Sequence, residues 1–210
     1  MDDAERWWAV ASGAVGLACL VAGSLLAALP RIDESPERAL GTLTSRRSTV
    51  LVGSVLTVTA GALLIWPVAA VATSDGAVWT SLVLFSVGLA VLGAAVFAAV
   101  GLCAATVAWR LPDERDGAAL LLQLAHLGTW SVSAPIGALL IVATTAAGVQ
   151  ADLLGPLVVV LAGAKVLTVA VELAGTGLRT GWNAGGWAFV LSGYVTVAWY
   201  ALVLVELALA

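Results

Sequence analysis

The sequence predicts an all-α protein, a polytopic transmembrane helical bundle of six membrane-spanning helices with both termini outside. Three observations carry this. Of 210 residues, 61% are hydrophobic and 10% are charged, against roughly a quarter charged in a soluble domain. The apolar residues form six long continuous runs, at 7–29, 49–73, 77–109, 118–147, 153–175 and 186–210. The arginines gather in alternate gaps between those runs. A soluble chain of this length has too much surface to hide so much apolar area. Composition therefore excludes an ordinary globular enzyme and a disordered chain. With 9 Lys+Arg against 13 Asp+Glu, no basic footprint for phosphates exists and nucleic acid is excluded as a partner. The first partner is the lipid bilayer, and the chain reads as one integral domain, multi-pass in the cell membrane.

Each run is long enough for the roughly 20 residues that cross a 30 Å hydrocarbon core as helix. A β-barrel is excluded because the runs lack apolar/polar alternation. The first run is no cleaved signal peptide: residues 1–6 are acidic overall, and its apolar stretch is too long. Between the first two runs lies the longest loop, 30–48, of 19 residues. Within it Ser35, Pro36 and Glu37 read as a cap, a proline at the first helical position and an acidic first turn. Ala39, Leu40 and Leu43 share one side, so a short interfacial helix is expected at 36–43. Pro67 is expected to bend the end of the second run. The third and fourth runs exceed a straight span and must tilt, kink or project, and Pro135 marks a kink. Ser74-Asp75, Asp116-Gly117 and Asp152 read as caps for the third, fourth and fifth helices.

Orientation follows from the positive-inside rule. Arg31, Arg38, Arg46, Arg47, Arg110, Arg115 and Arg179 fall on one side and only Arg6 on the other. The seven-residue side is cytoplasmic. Trp7, Trp8, Trp79, Trp109, Trp182 and Trp187 lie near predicted helix ends, where an aromatic belt belongs. Cys19 and Cys103 fall at different depths, too far apart for a disulfide, and read as buried thiols. Eight of nine basic residues are arginine and the pI is near 4.8. This acidic, lysine-poor composition is the one expected of a GC-rich genome and a halophilic archaeon.

Small residues recur at helical spacing: Ser12 and Gly16; Gly53, Thr57 and Gly61; Ala90, Ala94 and Ala98; Ser133 and Gly137. Their ordinary use is close packing inside one bundle. An inverted repeat of the two halves would suit six spans, but the halves show no sequence similarity. The ionisable residues discriminate between the halves. The first three spans have none inside, whereas the last three hold His126, Lys165, Glu172 and Glu206. A charge at mid-bilayer costs about 2.5–3.5 kcal/mol, so such residues turn toward one another or toward water.

Helical stripes define candidates. Gln123, His126, Trp130, Ser133 and Gly137 align in the fourth span, Lys165, Thr168 and Glu172 in the fifth, and Ser192, Thr196, Trp199 and Glu206 in the sixth. Lys165 is central, Glu172 lies about 10 Å nearer the cytoplasm, and Lys165 can snorkel that way. The expected site is a buried cluster of Lys165, Glu172 and His126, with Gln123 and Thr168 as hydrogen-bond partners. Glu206 is a separate candidate near the outer face, and Trp130 and Trp199 could line a cavity. The plain alternatives are interfacial solvation of Glu172 and Glu206, and core packing for the tryptophans.

Two functions fit. One is a small transporter or permease-like protein whose Lys–Glu–His group binds an anion or relays protons. The other is a non-catalytic membrane subunit or scaffold that meets a partner, or a second copy, through small-residue and polar helix faces. No HExxH, GxSxG or paired aspartates point to an enzyme. No metal site or cofactor is expected, since one histidine builds no typical metal site. A retinal Schiff base on Lys165 is disfavoured because its helix has no aromatic residue to cage a chromophore.

Overall fold

The protein is described by a computed structural model over residues 2–26, 36–74, 80–89, 91, 134–177 and 187–210. Those residues are helical, with short connections and no strand among them. The helices are α1 Asp3–Leu26, α2 Pro36–Ser45 and α3 Arg47–Ala72, α4 Thr80–Leu89 and α5 Ala134–Gln150, and α6 Pro156–Gly177 and α7 Trp187–Leu209. Four of them, α1, α3, α6 and α7, are long and apolar enough to cross a membrane. The shorter α4 and α5 fall inside the third and fourth apolar runs. Apart from Val91, the rest of those runs, including His126, Gln123, Trp130 and Cys103, lies outside the described residues, as do Arg31, Arg110, Arg115, Arg179 and the other small residues named for the third and fourth spans, apart from Gly137.

Helix α1 is packed inside out relative to a soluble protein. In α1 the buried residues are Ala9, Ser12, Gly13, Gly16 and Gly23, while Trp7, Trp8, Val15, Val21 and Leu25 are exposed. In α6 the exposed face carries Leu157, Val160, Val166 and Leu167. Bulky apolar side chains outward and small ones inward is the arrangement that lipid permits, because hydrocarbon outside is as apolar as leucine and only close backbone approach favours association. Four helices of membrane-crossing length with apolar outer faces are compatible with a membrane protein.

Glycine sets the α1–α3 contact. Gly13 lies against Pro67, Gly16 against Leu63 and Leu64, and Gly23 against Gly53 and Thr57. The partner number falls as α1 advances, so the two helices are antiparallel. A methyl group on Gly23 would sit 2.7 Å from Thr57 Oγ1, 2.9 Å from Thr57 N and 3.0 Å from Gly53 O. Two of those atoms are backbone and cannot yield. Pro67 is buried within α3, where it packs against α1.

Gly13 also meets Leu204 of α7, and a groove between the two helices runs on from there toward Leu25 and Val197. Gly155 meets Glu206, and Lys165 meets Ser192, so α6 and α7 are antiparallel as well. It follows that the start of α1, the end of α3, the α5–α6 turn and the end of α7 share one end of the bundle. Both chain termini are there, with Arg6 paired to Asp3 at 2.8 Å and an edge-to-face Trp8–Trp66 pair at 6.2 Å. Arg38, Arg46 and Arg47 belong to the opposite end, where α2 leads into α3 through a single turn residue, Arg46.

The Ser74 hydroxyl donates back to Val71 O at 2.7 Å at the end of α3, and residues 75–79, where a helix after it would start, lie outside the described residues. One expected cap is corrected. Asp152 is not the cap of α6. It occupies a left-handed turn, with φ of 54°, in which the N–H groups of Leu153 and Leu154 both donate to Gly148 O at 2.9 and 3.2 Å. The turn spends three more residues before α6 begins at Pro156, a residue suited to a first helical position because its missing N–H would have had no partner there. Asp75 and Asp116 lie outside the described residues. Helix α2 extends two residues beyond the short helix expected at 36–43.

Candidate functional site

Helix α6 buries one stripe: Val158, Ala162, Lys165, Thr168, Val169 and Glu172. Val158, Ala162, Lys165, Val169 and Glu172 alternate at four and three residues, with Thr168 beside them, as a straight helix in a bundle requires. Lys165 and Glu172 thus occupy positions that their neighbours fill with valine and alanine. Lys165 is 7% exposed and Glu172 1%. Neither is a surface charge at a helix end.

The opposing stripe on α7 is Ala188, Ser192, Trp199, Val203 and Leu207. Ser192, 2% exposed, receives the lysine. The Lys165 Nζ donates to Ser192 Oγ at 2.5 Å and lies 3.4 Å from Ser192 O. That carbonyl also accepts the Thr196 hydroxyl at 2.9 Å. An ammonium replacing its water shell with a hydroxyl and a carbonyl is how a buried lysine is tolerated in a low-dielectric interior. Glu172 lies within electrostatic reach of Lys165, two turns along the same stripe.

The expected members are distributed as follows. Lys165 and Glu172 share the seam between α6 and α7. Thr168 is buried beside them, but its hydroxyl donates to the Lys165 carbonyl at 2.9 Å, satisfying its own helix rather than the charges. His126 and Gln123 lie outside the described residues, as does Trp130. Trp199 is fully buried. Its indole N–H donates to Thr145 Oγ1 of α5 at 3.0 Å, and its ring meets Tyr200 edge-to-face at 4.9 Å. It packs the core where α3, α4, α5, α6 and α7 converge and does not line the α1–α7 groove.

Glu206 is at the terminal end, remote from Lys165. Its Oε2 accepts the Gly155 N–H at 2.6 Å, across 51 residues of sequence. Sequence reasoning gave Glu206 no partner and missed Gly155 altogether. It also placed Ser192 in the right stripe without pairing it with Lys165.

The α1–α7 groove, about 710 Å³, is apolar, lined among others by Ala14, Leu17, Ala18, Val21 and Leu204. No group of three His, Cys, Asp or Glu side chains among the described residues could hold a metal ion. Cys19 is a free thiol packed against the core. No protein-family model, no curated protein and no solved structure matches this chain.

Proposed function

We propose that this chain is a small, permease-like membrane transporter whose charged centre is Lys165 with Glu172, completed from the fourth apolar run by His126 and Gln123. One observation carries the reading. A lysine stands in the buried stripe at the middle of a membrane-length helix, held by a hydroxyl of the next helix. Helix association in lipid needs only small residues and hydroxyls, and α1 and α3 associate with no ionisable residue at their contact. A buried charge is the costly choice, and intramembrane charges mark ion or proton pathways more often than structural joints.

The chemistry available is simple. The Lys165 ammonium has three N–H donors, and Ser192 engages the hydroxyl-facing ones. Its four-carbon stem lets it swing along the stripe between Ser192 and the level of Glu172. An anion or a proton arriving from the arginine-bearing end meets this pair before it meets the apolar core. The chain crosses the cell membrane six times with both termini outside; the shared end of the two termini and the position of Arg38, Arg46 and Arg47 at the other end support this.

The test is flux. Proteoliposomes with an entrapped pH dye and a potassium diffusion potential set by valinomycin should acidify or alkalinise several-fold faster than protein-free vesicles. Lys165→Met should return the rate to background. A wild-type rate equal to that of protein-free vesicles overturns the reading.

A subunit or scaffold role is the second reading, favoured by the apolar groove between α1 and α7. Extraction into native nanodiscs followed by mass measurement separates the two. A stoichiometric partner favours the subunit; the chain alone favours the transporter.

A further inference from the structure

We infer that Glu206 is the positioning residue of the Lys165 site: by capping α6 from α7 it fixes the axial register of the two helices and so decides which group of α7 the lysine meets.

Four observations lead there. First, α6 has no cap of its own. Asp152 is spent in the left-handed turn, and the residues that open the helix are Gly155 and Pro156, neither with a side chain that can accept a hydrogen bond. Orphan N–H groups at a helix start need an acceptor, and the positive end of the helix favours an anionic one. The Glu206 carboxylate supplies both, at 2.6 Å from Gly155 N.

Second, the site for that carboxylate is made by glycine. A methyl group on Gly155 would stand 2.9 Å from Glu206 Oε1 and 3.6 Å from its carboxyl carbon. A side chain at 155 would crowd the carboxylate where it now meets the helix start.

Third, α6 and α7 are tied at two levels by side-chain hydrogen bonds among the described residues, Gly155–Glu206 and Lys165–Ser192, ten residues apart on the α6 side. Polar contacts of this kind fix the register of an otherwise apolar seam, and a slip of one turn, about 5.4 Å, would break both.

Fourth, the first of these predicts the second. With Gly155 level with Glu206, antiparallel helices put the Lys165 backbone level with Thr196, and Ser192 about one turn further along, or about 6 Å. That is the reach of an extended lysine stem, leaning in the direction of Glu172. Slipped one turn, the ammonium would face Thr196, which is only half-buried, or Ala188, which has nothing to accept a hydrogen bond.

This inference concerns where Lys165 is held. It stands whether or not the protein transports, so its failure and that of the transport reading are distinguishable. Lys165 is the only lysine in the chain, so lysine labelled at Nζ with ¹⁵N gives one side-chain signal without assignment. In liposomes, solid-state NMR should show a cross-peak from that nitrogen to a serine Cβ, absent in Ser192→Ala. The peak should persist in Glu206→Gln, whose amide oxygen still accepts the Gly155 N–H, and vanish in Glu206→Ala. A peak unchanged in Glu206→Ala overturns the inference. Should Glu206→Ala fail to fold, Glu206→Asp decides. It keeps the carboxylate but shortens its stem by one methylene, so the Gly155 N–H is reached only if the helices shift; the peak should be lost or shifted, and an unchanged peak there overturns the inference equally.

Discussion

The α1–α3 pair and the α6–α7 pair are two antiparallel pairs of membrane-length helices held together in opposite ways. In α1–α3 the contact is made by glycine, Gly13 against the Pro67 ring, Gly16 against Leu63 and Leu64 and Gly23 against the backbone of Gly53 and Thr57, with no ionisable side chain among them. Its hydroxyls stay within their own helices: Ser12 bonds Ala9 O, Ser54 bonds Val50 O and Thr57 bonds Gly53 O. In α6–α7 the polar groups reach across, Lys165 to Ser192 and Glu206 to Gly155. Shape alone thus suffices to join two helices here. The charges of the second pair are therefore not demanded by assembly, and that difference is what makes them candidates for function.

The largest effect should come from the charged pair. Truncating Lys165 takes the charged partner from the buried Ser192 hydroxyl, and a hydrogen bond to a charged group is worth about 1.5–3 kcal/mol. Lys165→Met should destabilise the protein by about that much. Lys165→Met with Glu172→Leu should cost less than the two single changes summed, since the attraction between the two charges is lost in each of them. Reversible unfolding in mixed micelles, arranged as a double-mutant cycle, reads the coupling. Additive losses would mean that the two residues act independently.

Next comes the glycine contact. Gly23→Leu forces a side chain into Thr57 and the Gly53 carbonyl. Overpacking of this kind costs about 1–3 kcal/mol, and here the obstacle is backbone. Loss of a cysteine cross-link engineered between α1 and α3 would report their separation. A cross-link formed as well as in the parent would show that the pair repacks without cost.

How much of this was legible in the sequence divides along the same line. The helices themselves were, because length and apolar continuity are one-dimensional properties. The run 49–73 is α3, Arg47–Ala72, and 186–210 is α7, Trp187–Leu209. Faces were legible too: Lys165, Thr168 and Glu172 do share the buried stripe. Partners were not. Periodicity says which way a residue points but not which helix it meets, so Ser192 stood in its stripe unpaired with Lys165. The partner of Glu206 is a backbone N–H, which has no residue type. Its trace was only Gly155 before Pro156, a helix start with no cap. Asp152 misled because an aspartate before an apolar run is equally at home in a left-handed turn, and only the turn that Gly148 accepts decides between them.

A smaller effect is expected where a neutral hydrogen bond links helices. Thr145→Val keeps the shape at α5 and removes the acceptor for the Trp199 indole. Neutral hydrogen bonds between membrane helices average about 0.6 kcal/mol. The loss should be near that figure by unfolding in micelles, and a loss as large as that of Lys165→Met would erase the distinction drawn between charged and neutral contacts.

The smallest effect sharpens the comparison, because it sets one glycine against another. Gly163 is in α6, two residues before Lys165, and a Cβ added there meets nothing within 4 Å. It is exposed, so a methyl group would meet open space among the described residues. Glycine within a helix is less favourable than alanine by roughly 0.5–1 kcal/mol, through backbone entropy. Gly163→Ala should therefore leave unfolding unchanged or raise it by up to about 1 kcal/mol, while Gly23→Ala lowers it. The same substitution has opposite signs because Gly23 is a contact surface and Gly163 is not. Were Gly163→Ala as damaging as Gly23→Ala, the outer face of α6 would have to be covered by protein rather than lipid, and α6–α7 would be no freer than α1–α3.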